Sequence, residues 1–472
     1  MGSKPATHKQ SPTRKATKVK TMKFIHLSDL HLGKRVNEYS MLEDQEYILK
    51  KILNIIDAET PDGVIIAGDV YDKSVPSAEA VQLFDDFLVS LSDRKLQVFV
   101  ISGNHDSAER IAFGCRIMDA GGVHLSPVYD GNVQPISLQD EYGTLNVYLL
   151  PFVKPAHVRA AFARIGSGGE VSGDREASGG GDAPGDGGVL EAGEVSSSSE
   201  SPNAAEAPDN ASEPSEASEA PNVAEAPDDA SKPSEASEIT TYTDAIKFAI
   251  VYMNIDPNVR NVLVTHQFVT GATRSESEEI SVGGTDNVDA SVFELFDYVA
   301  LGHIHSPQNC GSNTIRYCGT PLKYSFSEAN DKKSVTVVEL AEKGNVSYKT
   351  VELSPKHDLV ELKGTYAQLT GKSFYENTTW QEDYTHLTLT DEQDIPDALG
   401  KLRAVYHRIM KLDYDNTRTR TSAVISEAAD VESKQPFELF AEFYEQQNGQ
   451  QMTTDQVEYI RTLIESTWEG TR

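Results

Sequence analysis

Gln97-Val98-Phe99-Val100-Ile101-Ser102-Gly103-Asn104-His105-Asp106 is the stretch that decides the fold of this chain. Its Val, Phe and Ile run reads as a buried strand. The Gly-Asn-His-Asp that follows has the composition of a turn, and its side chains are potential metal ligands. The same arrangement recurs outward in both directions. Asp29-Leu30-His31 follows a strand predicted at Phe24–Ser28, and Gly68-Asp69 follows one at Val64–Ala67. Thr265-His266 closes the run that starts at Val262, and Gly302-His303-Ile304-His305 follows Tyr298–Leu301. Open α/β sheets carry their sites at the carboxyl ends of parallel strands, so the five islands predict one shared rim.

Each island alone is weak. An Asp-x-His pair is commonly a surface or capping feature, and Gly-Asp and Gly-Asn-His-Asp are ordinary turn sequences. Gly-His-x-His is stronger, because residues two apart in extended chain project to the same side. Taken in order, the islands predict a metal site built from Asp29, His31, Asp69, Asn104, His266, His303 and His305. Carboxylate, amide oxygen and imidazole suit Mn²⁺, Fe²⁺ or Zn²⁺. Seven ligands are enough for two cations that share a carboxylate, an arrangement suited to phosphoester hydrolysis. Hydrolysis of small phosphoesters or phosphoproteins remains open at this point, as does a non-catalytic scaffold that binds DNA with a vestigial site.

The 472 residues exceed a typical single domain. Cys115, Cys310 and Cys318 are odd in number and form no Cys-x-x-Cys spacing, which indicates neither a disulfide framework nor a thiolate zinc site and fits a reducing, cytoplasmic compartment. No apolar run approaches the ~18 residues of a membrane helix. The formal charge of −31 argues against nucleic acid only superficially. Residues 166–238 hold eighteen Asp or Glu against Arg175 and Lys232, so about half of the excess lies in one segment. Two divalent ions would reverse the local potential where a phosphate must sit.

Residues 1–21 are polar and basic and read as a disordered extension, with Met22 a candidate start. A β-α-β-α-β rhythm follows: helix Leu42–Ala58, strand Val64–Ala67, helix Ala78–Leu91, strand Gln97–Ser102, helix Ala108–Ala120. Strands at Asn146–Leu150, Val262–Thr265, Tyr298–Leu301, Thr314–Cys318 and Ser334–Leu340 extend that sheet or form a second. The acidic segment 166–238 interrupts this domain, which spans residues 22–353. Its Pro202–Asp209 octet recurs almost unchanged as Pro221–Asp228, without large apolar residues to stack, which predicts a disordered insertion before a helix at Tyr242–Met253. A small α+β domain is expected at 354–420, with a strand at His386–Leu389 and a helix at Ile395–Arg408. A linker at 421–436 leads to amphipathic helices at 437–472, where Phe437, Leu439, Phe440, Phe443 and Tyr444 could pack on the protein's own core or on a partner.

The islands sit inside longer phrases. Gly68-Asp69-Val70-Tyr71-Asp72-Lys73-Ser74-Val75-Pro76 and Tyr317-Cys318-Gly319-Thr320-Pro321-Leu322-Lys323-Tyr324-Ser325-Phe326 resemble the SbcD family of bacterial nuclease subunits, as do Asp29–Lys34, Ser102–Ser107, Thr265–Phe268 and Leu301–His305. The resemblance covers roughly Lys23–Val153 and Ile239–Leu353. It implies a calcineurin-like metallophosphoesterase core of two β-sheets flanked by helices, with a small α+β capping domain and C-terminal helices. It also implies a metal held by Asp29, His31, Asp69 and His305, a second held by Asp69, Asn104, His266 and His303, and Mn²⁺ as the ion at both. His105 would assist the leaving 3′ oxygen, with Asp106 orienting it. Asp72 stands where archaeal and eukaryotic relatives commonly have His, which favours the bacterial branch. The implied activity is exonuclease action on duplex DNA ends and endonuclease action on single strands and hairpins, in DNA repair, recombination and replication. The implied partner is an SbcC-like coiled-coil ATPase, docked on the C-terminal helices of an SbcD homodimer within a heterotetramer. No Gly-x-x-x-x-Gly-Lys-[Ser/Thr] motif occurs, so ATP dependence would come from that partner. Lys73, Arg110 and Lys323 are candidate contacts to backbone phosphates.

Overall fold

The computed structural model describes residues 21–166, 238–278, 286–393 and 395–417, with scattered positions between 437 and 463. The basic extension, the acidic insertion, the 421–436 linker and most of the C-terminal helices therefore lie outside the described residues.

The predicted strands divide into two six-stranded sheets. The first runs Val346–Glu352, Ser334–Leu340, Met22–Leu27, Gly63–Ala67, Gln97–Ile101, Val123–Leu125. Its last four strands are parallel, and Ser334–Leu340 returns antiparallel beside Met22–Leu27. The second runs Gln308–Cys310, Ser312–Tyr317, Tyr298–Gly302, Arg260–His266, Gly143–Leu150, Ile136–Asp140. Its four central strands are parallel, with an antiparallel strand on each edge.

The alternation of side chains along each strand dictates the layering. Phe24, Ile65, Ala67, Phe99 and Ile101 face the other sheet and meet Leu145, Val147, Val262, Val264, Tyr298 and Ala300. Their neighbours Ile25, Leu27, Val64, Ile66, Val98 and Val100 face outward onto helices Leu42–Glu59 and Ala78–Asp93. On the far side, Leu263, Val299 and Leu301 pack on helix Tyr242–Val251. Burying both faces explains why the strands read as continuous apolar runs. Each fully buried Phe or Ile contributes about 1.5–3 kcal/mol. Local signals place the helices: Ser77 accepts from the Ala80 amide, and Thr241 with Asp244 forms a capping box. Among the described residues no helix is long and apolar enough to cross a membrane.

Two helix expectations need correction. Ala108–Ala120 breaks into Ala108–Ile111 and Cys115–Met118, because Gly114 turns the chain with φ of +73°. The helix expected at Ile395–Arg408 is only Ala398–Leu402. Asp397 enters it with φ of +50°, and the Tyr406 hydroxyl donates to the Leu369 carbonyl at 2.7 Å, leading the chain into the strand Arg408–Tyr414.

That strand belongs to a separate three-stranded parallel sheet with Leu359–Gly364 and Tyr384–Leu389. It has its own core around Leu362, Leu369, Leu387, Leu402 and Tyr406. It docks on helix Leu42–Glu59 through a buried carboxylate. Asp44 accepts from the Tyr384 hydroxyl at 2.8 Å and from the His357 amide at 3.1 Å, and its Oδ1 lies 3.0 Å from His357 Nδ1.

The two main sheets are in tight contact at their strand ends. A Cβ on Gly302 would lie 1.9 Å from the Ala67 carbonyl oxygen and 2.6 Å from His266 Nδ1. Gly302→Ala is therefore expected to destabilise the protein by about 1–3 kcal/mol through overpacking. Urea denaturation checks this, and an unchanged midpoint would show that the ends can part freely.

Candidate metal centre

Four of the seven predicted ligands sit in left-handed turns at the ends of their strands. Asp29, His31, Asp69 and His303 adopt φ of +53°, +45°, +48° and +101°. Left-handed backbone is costly for non-glycine residues and persists where the surroundings enforce it, commonly at functional sites. Gly103 is needed for a different reason, since a Cβ there would lie 2.1 Å from Asp69 Oδ1.

The turns bring all seven side chains together. The ligand atoms of Asp29, His31 and His305 lie within 4.8 Å of one another, and so do those of Asp29, Asp69 and His266. His31 Nε2 and His305 Nε2 are 3.2 Å apart. Asp69 Oδ2 is 3.7 Å from His31 Nε2 and 3.3 Å from His266 Nε2, so one carboxylate oxygen faces both groups. Asn104 Oδ1 sits 2.9 Å from His266 Nε2 and 3.0 Å from His303 Nδ1. Except for Asn104, the cluster is buried.

Hydrogen bonds behind the cluster aim its members inward. The Ala67 carbonyl lies 2.8 Å from His266 Nδ1, which places the N–H there and leaves Nε2 to the centre. Both Asp29 oxygens accept from the His303 amide, at 3.0 and 3.2 Å. Ser277 Oγ is 2.6 Å and Glu328 Oε1 3.4 Å from His305 Nδ1, while Lys333 Nζ pairs with Glu328 Oε2 at 2.5 Å. Gln45 Nε2 donates to the His31 carbonyl at 2.7 Å, and the Tyr324 hydroxyl donates to the Leu30 carbonyl at 2.6 Å.

The electrostatics match this geometry. Burial raises Asp29 to about 7, with the Asp69 charge adding and His266 opposing. Burial would raise Asp69 too, but His266, His31 and His105 hold it well below the usual carboxylate range. Burial would lower His266, but Asp69 and Asp29 lift it to about 9. Burial lowers His31, His303 and His305, favouring the neutral form that ligates metals. Two neutral imidazoles that aim Nε2 atoms at each other, beside two buried carboxylates, fit divalent cations. The donor set of oxygens and imidazoles suits Mn²⁺, Fe²⁺ or Zn²⁺.

His105 lies beside these groups. Its ring meets the His31 ring edge-on at 4.9 Å, and its amide donates to Asp69 Oδ1 at 2.9 Å. The Asp72 carbonyl, 3.1 Å from Nδ1, orients the ring. Orientation by Asp106 is therefore corrected: that carboxylate accepts from the amides of Val70, Gly103 and Tyr71 at 2.9–3.0 Å and braces the loop. Burial, then the Asp69 charge, raises Asp106 to about 6. Lys323 is also reassigned, because its ammonium bonds the Ala329 carbonyl at 2.6 Å and Asp358 at 2.9 Å. Lys73 and Arg110 are exposed. Sequence reasoning missed Ser277, Glu328 and Lys333, and also Glu278, whose Oε1 accepts from the His305 amide at 2.6 Å. No motif marks them, and an acidic residue in a turn is usually solvated.

The chain matches two family models, "Calcineurin-like phosphoesterase" over residues 22–171 and "Type 5 capsule protein repressor C-terminal domain", the SbcD C-terminal family, over residues 355–448. These matches identify a calcineurin-like phosphoesterase domain and, C-terminal to it, an SbcD-type domain. Its relatives include the SbcD subunit of the SbcCD nuclease from Staphylococcus saprophyticus, 26% identical over 447 residues, which are 94% of this chain and 98% of the relative. The Staphylococcus epidermidis protein of the same name is 26% identical over 450 residues with the same coverage. The phosphoesterase domain and these nuclease relatives mark the chain as a phosphodiester hydrolase, of a family that implies divalent metal ions.

Glu328 tests how the centre is supported. Burial would raise its carboxyl, but the His305 hydrogen bond and the Lys333 charge hold it at about 2. Removing a carboxylate that orients a ligating imidazole weakens metal binding roughly 10–100-fold. That loss is the expected result for Glu328→Gln in Mn²⁺ titration calorimetry, and unchanged affinity would leave Glu328 with a purely structural role.

Proposed function

We propose that this chain is the nuclease subunit of a cytoplasmic, ATP-dependent SbcC–SbcD-type complex, cutting DNA with Mn²⁺ as an exonuclease on duplex ends and an endonuclease on single strands and hairpins. The observation that carries this reading is the pair of overlapping ligand groups around Asp69, with His105 alongside. Near full-length likeness to proteins named as nuclease subunits supports DNA as the substrate.

In this reading one metal is held by Asp29, His31, Asp69 and His305, and the other by Asp69, Asn104, His266 and His303. When bound, the ions supply Lewis-acid activation of water and neutralise charge on the phosphate. The chain's own residues do the rest. His266 and His305 are locked by the Ala67 carbonyl and by Ser277 with Glu328, so neither ring reorients as charge develops. Water attacks phosphorus in line as the bond to the 3′ oxygen breaks. With its Nδ1–H held by the Asp72 carbonyl, the doubly protonated His105 ring would pass its Nε2 proton to that oxygen and be left as the neutral Nδ1–H form.

The proposed division is a nuclease domain at 22–353 carrying the 166–238 insertion, a capping domain at 354–420, and helices at 437–472 for the ATPase partner. Exposed Phe440 and Tyr459 support such docking. Val75, in the loop after Asp69, and Phe113 and Ile117, in the segment after Asp106, are exposed apolar residues that a second copy of this chain would cover in the heterotetramer.

The test is Mn²⁺-dependent cleavage of a labelled hairpin and duplex end, compared with p-nitrophenyl phosphate, with and without the ATPase. Turnover of the small ester without DNA cleavage would reassign the substrate. His105→Ala is expected to lower DNA cleavage by about 10²–10⁴-fold while metal content stays at the parent level. Equal cleavage by variant and parent would remove His105 from proton transfer.

A further inference from the structure

Two cationic side chains at the rim have no part in the chemistry above. Lys34 Nζ lies 2.7 Å from Asp72 Oδ1 and 5.6 Å from the centre of the Tyr324 ring. Arg274 donates to Asp286 Oδ2 at 2.5 Å, and its guanidinium carbon lies 3.6 Å from the centre of the Phe268 ring. Those rings touch the metal ligands: Tyr324 packs on His31 and His305 at 5.7 and 6.3 Å, and Phe268 on His303 at 6.4 Å. Each cation thus stands one aromatic ring from the centre. Lys34 is beside His31 and His305, and Arg274 is beside His303.

Both side chains are buried along their stems, with 15% and 16% of their surface exposed. The Arg274 pair is also incomplete. It uses one prong, leaving Arg274 Nε and Asp286 Oδ1 buried without hydrogen-bond partners among the described residues. A pair meant only to neutralise charge gains most by engaging both prongs. Here the stacked Phe268 ring fixes the guanidinium plane instead, the arrangement by which arginine presents its fork to a phosphate.

We propose that Arg274 and Lys34 bind the phosphates on either side of the scissile one, so that the centre selects a nucleic-acid strand over an isolated phosphoester. This rests on the nuclease reading. A strand repeats its charge at every nucleotide, so cations on both flanks of one reaction point match a strand. An ester with a single phosphate offers neither cation a flanking phosphate and leaves each to its own carboxylate, Asp72 or Asp286.

The experiment measures KM and kcat of the full chain with Mn²⁺ on a labelled single-stranded oligonucleotide across a salt series, beside bis(p-nitrophenyl) phosphate. Arg274→Ala and Lys34→Ala are each expected to raise the oligonucleotide KM about tenfold and to flatten log KM against log salt by about 0.7, the signature of one lost phosphate contact on a single strand. Arg274→Lys is expected to restore most of that slope. The preference for the oligonucleotide over the small diester should shrink with the KM change. An unchanged salt slope in both alanine variants, or equal losses on both substrates, would make these ion pairs mere loop braces and overturn the proposal. A parent chain that hydrolyses the diester but no DNA would instead overturn the nuclease reading itself.

Discussion

Two carboxylates and four imidazoles, from strands far apart in sequence, share one buried volume. Asp29 and Asp69 repel each other, and the polar backs of the histidines need partners that an apolar core does not supply. The fold meets both demands where the ends of its two sheets touch. Backbone groups of one sheet satisfy side chains of the other: the Ala67 carbonyl meets His266, and the His303 amide meets Asp29. The facing strands must therefore end together, in glycine and in left-handed turns. What remains unbalanced is charge, which divalent ions can supply.

This explains why so much of the centre was legible in the sequence. Asp29, His31, Asp69, Asn104, His266, His303 and His305 each close an apolar strand or lie within a few residues of its end, so strand ends and ligands are read together. The strands themselves were visible because both sheets are covered on two faces. Which strands shared a sheet was not visible, since pairing such as Met22–Leu27 with Ser334–Leu340 links distant residues without a local signal.

The supporting groups were hidden for the same reason. Glu328 reaches His305 from 23 residues away, out of a short turn that looks solvated. Asp106 misled in the opposite sense. It adjoins His105 in sequence, yet consecutive side chains diverge, and its oxygens fill with backbone amides. In the small sheet, apolar residues near Tyr406 mimic helical spacing while one tertiary hydrogen bond holds that segment elsewhere.

Asp44 and Gln45 are consecutive residues of one helix and look in two directions. Asp44 grips the three-stranded sheet through Tyr384 and His357, while Gln45 grips the loop of His31 by its carbonyl. One peptide unit of that helix therefore anchors both the outer sheet and a metal-ligand turn, and the two share a single support.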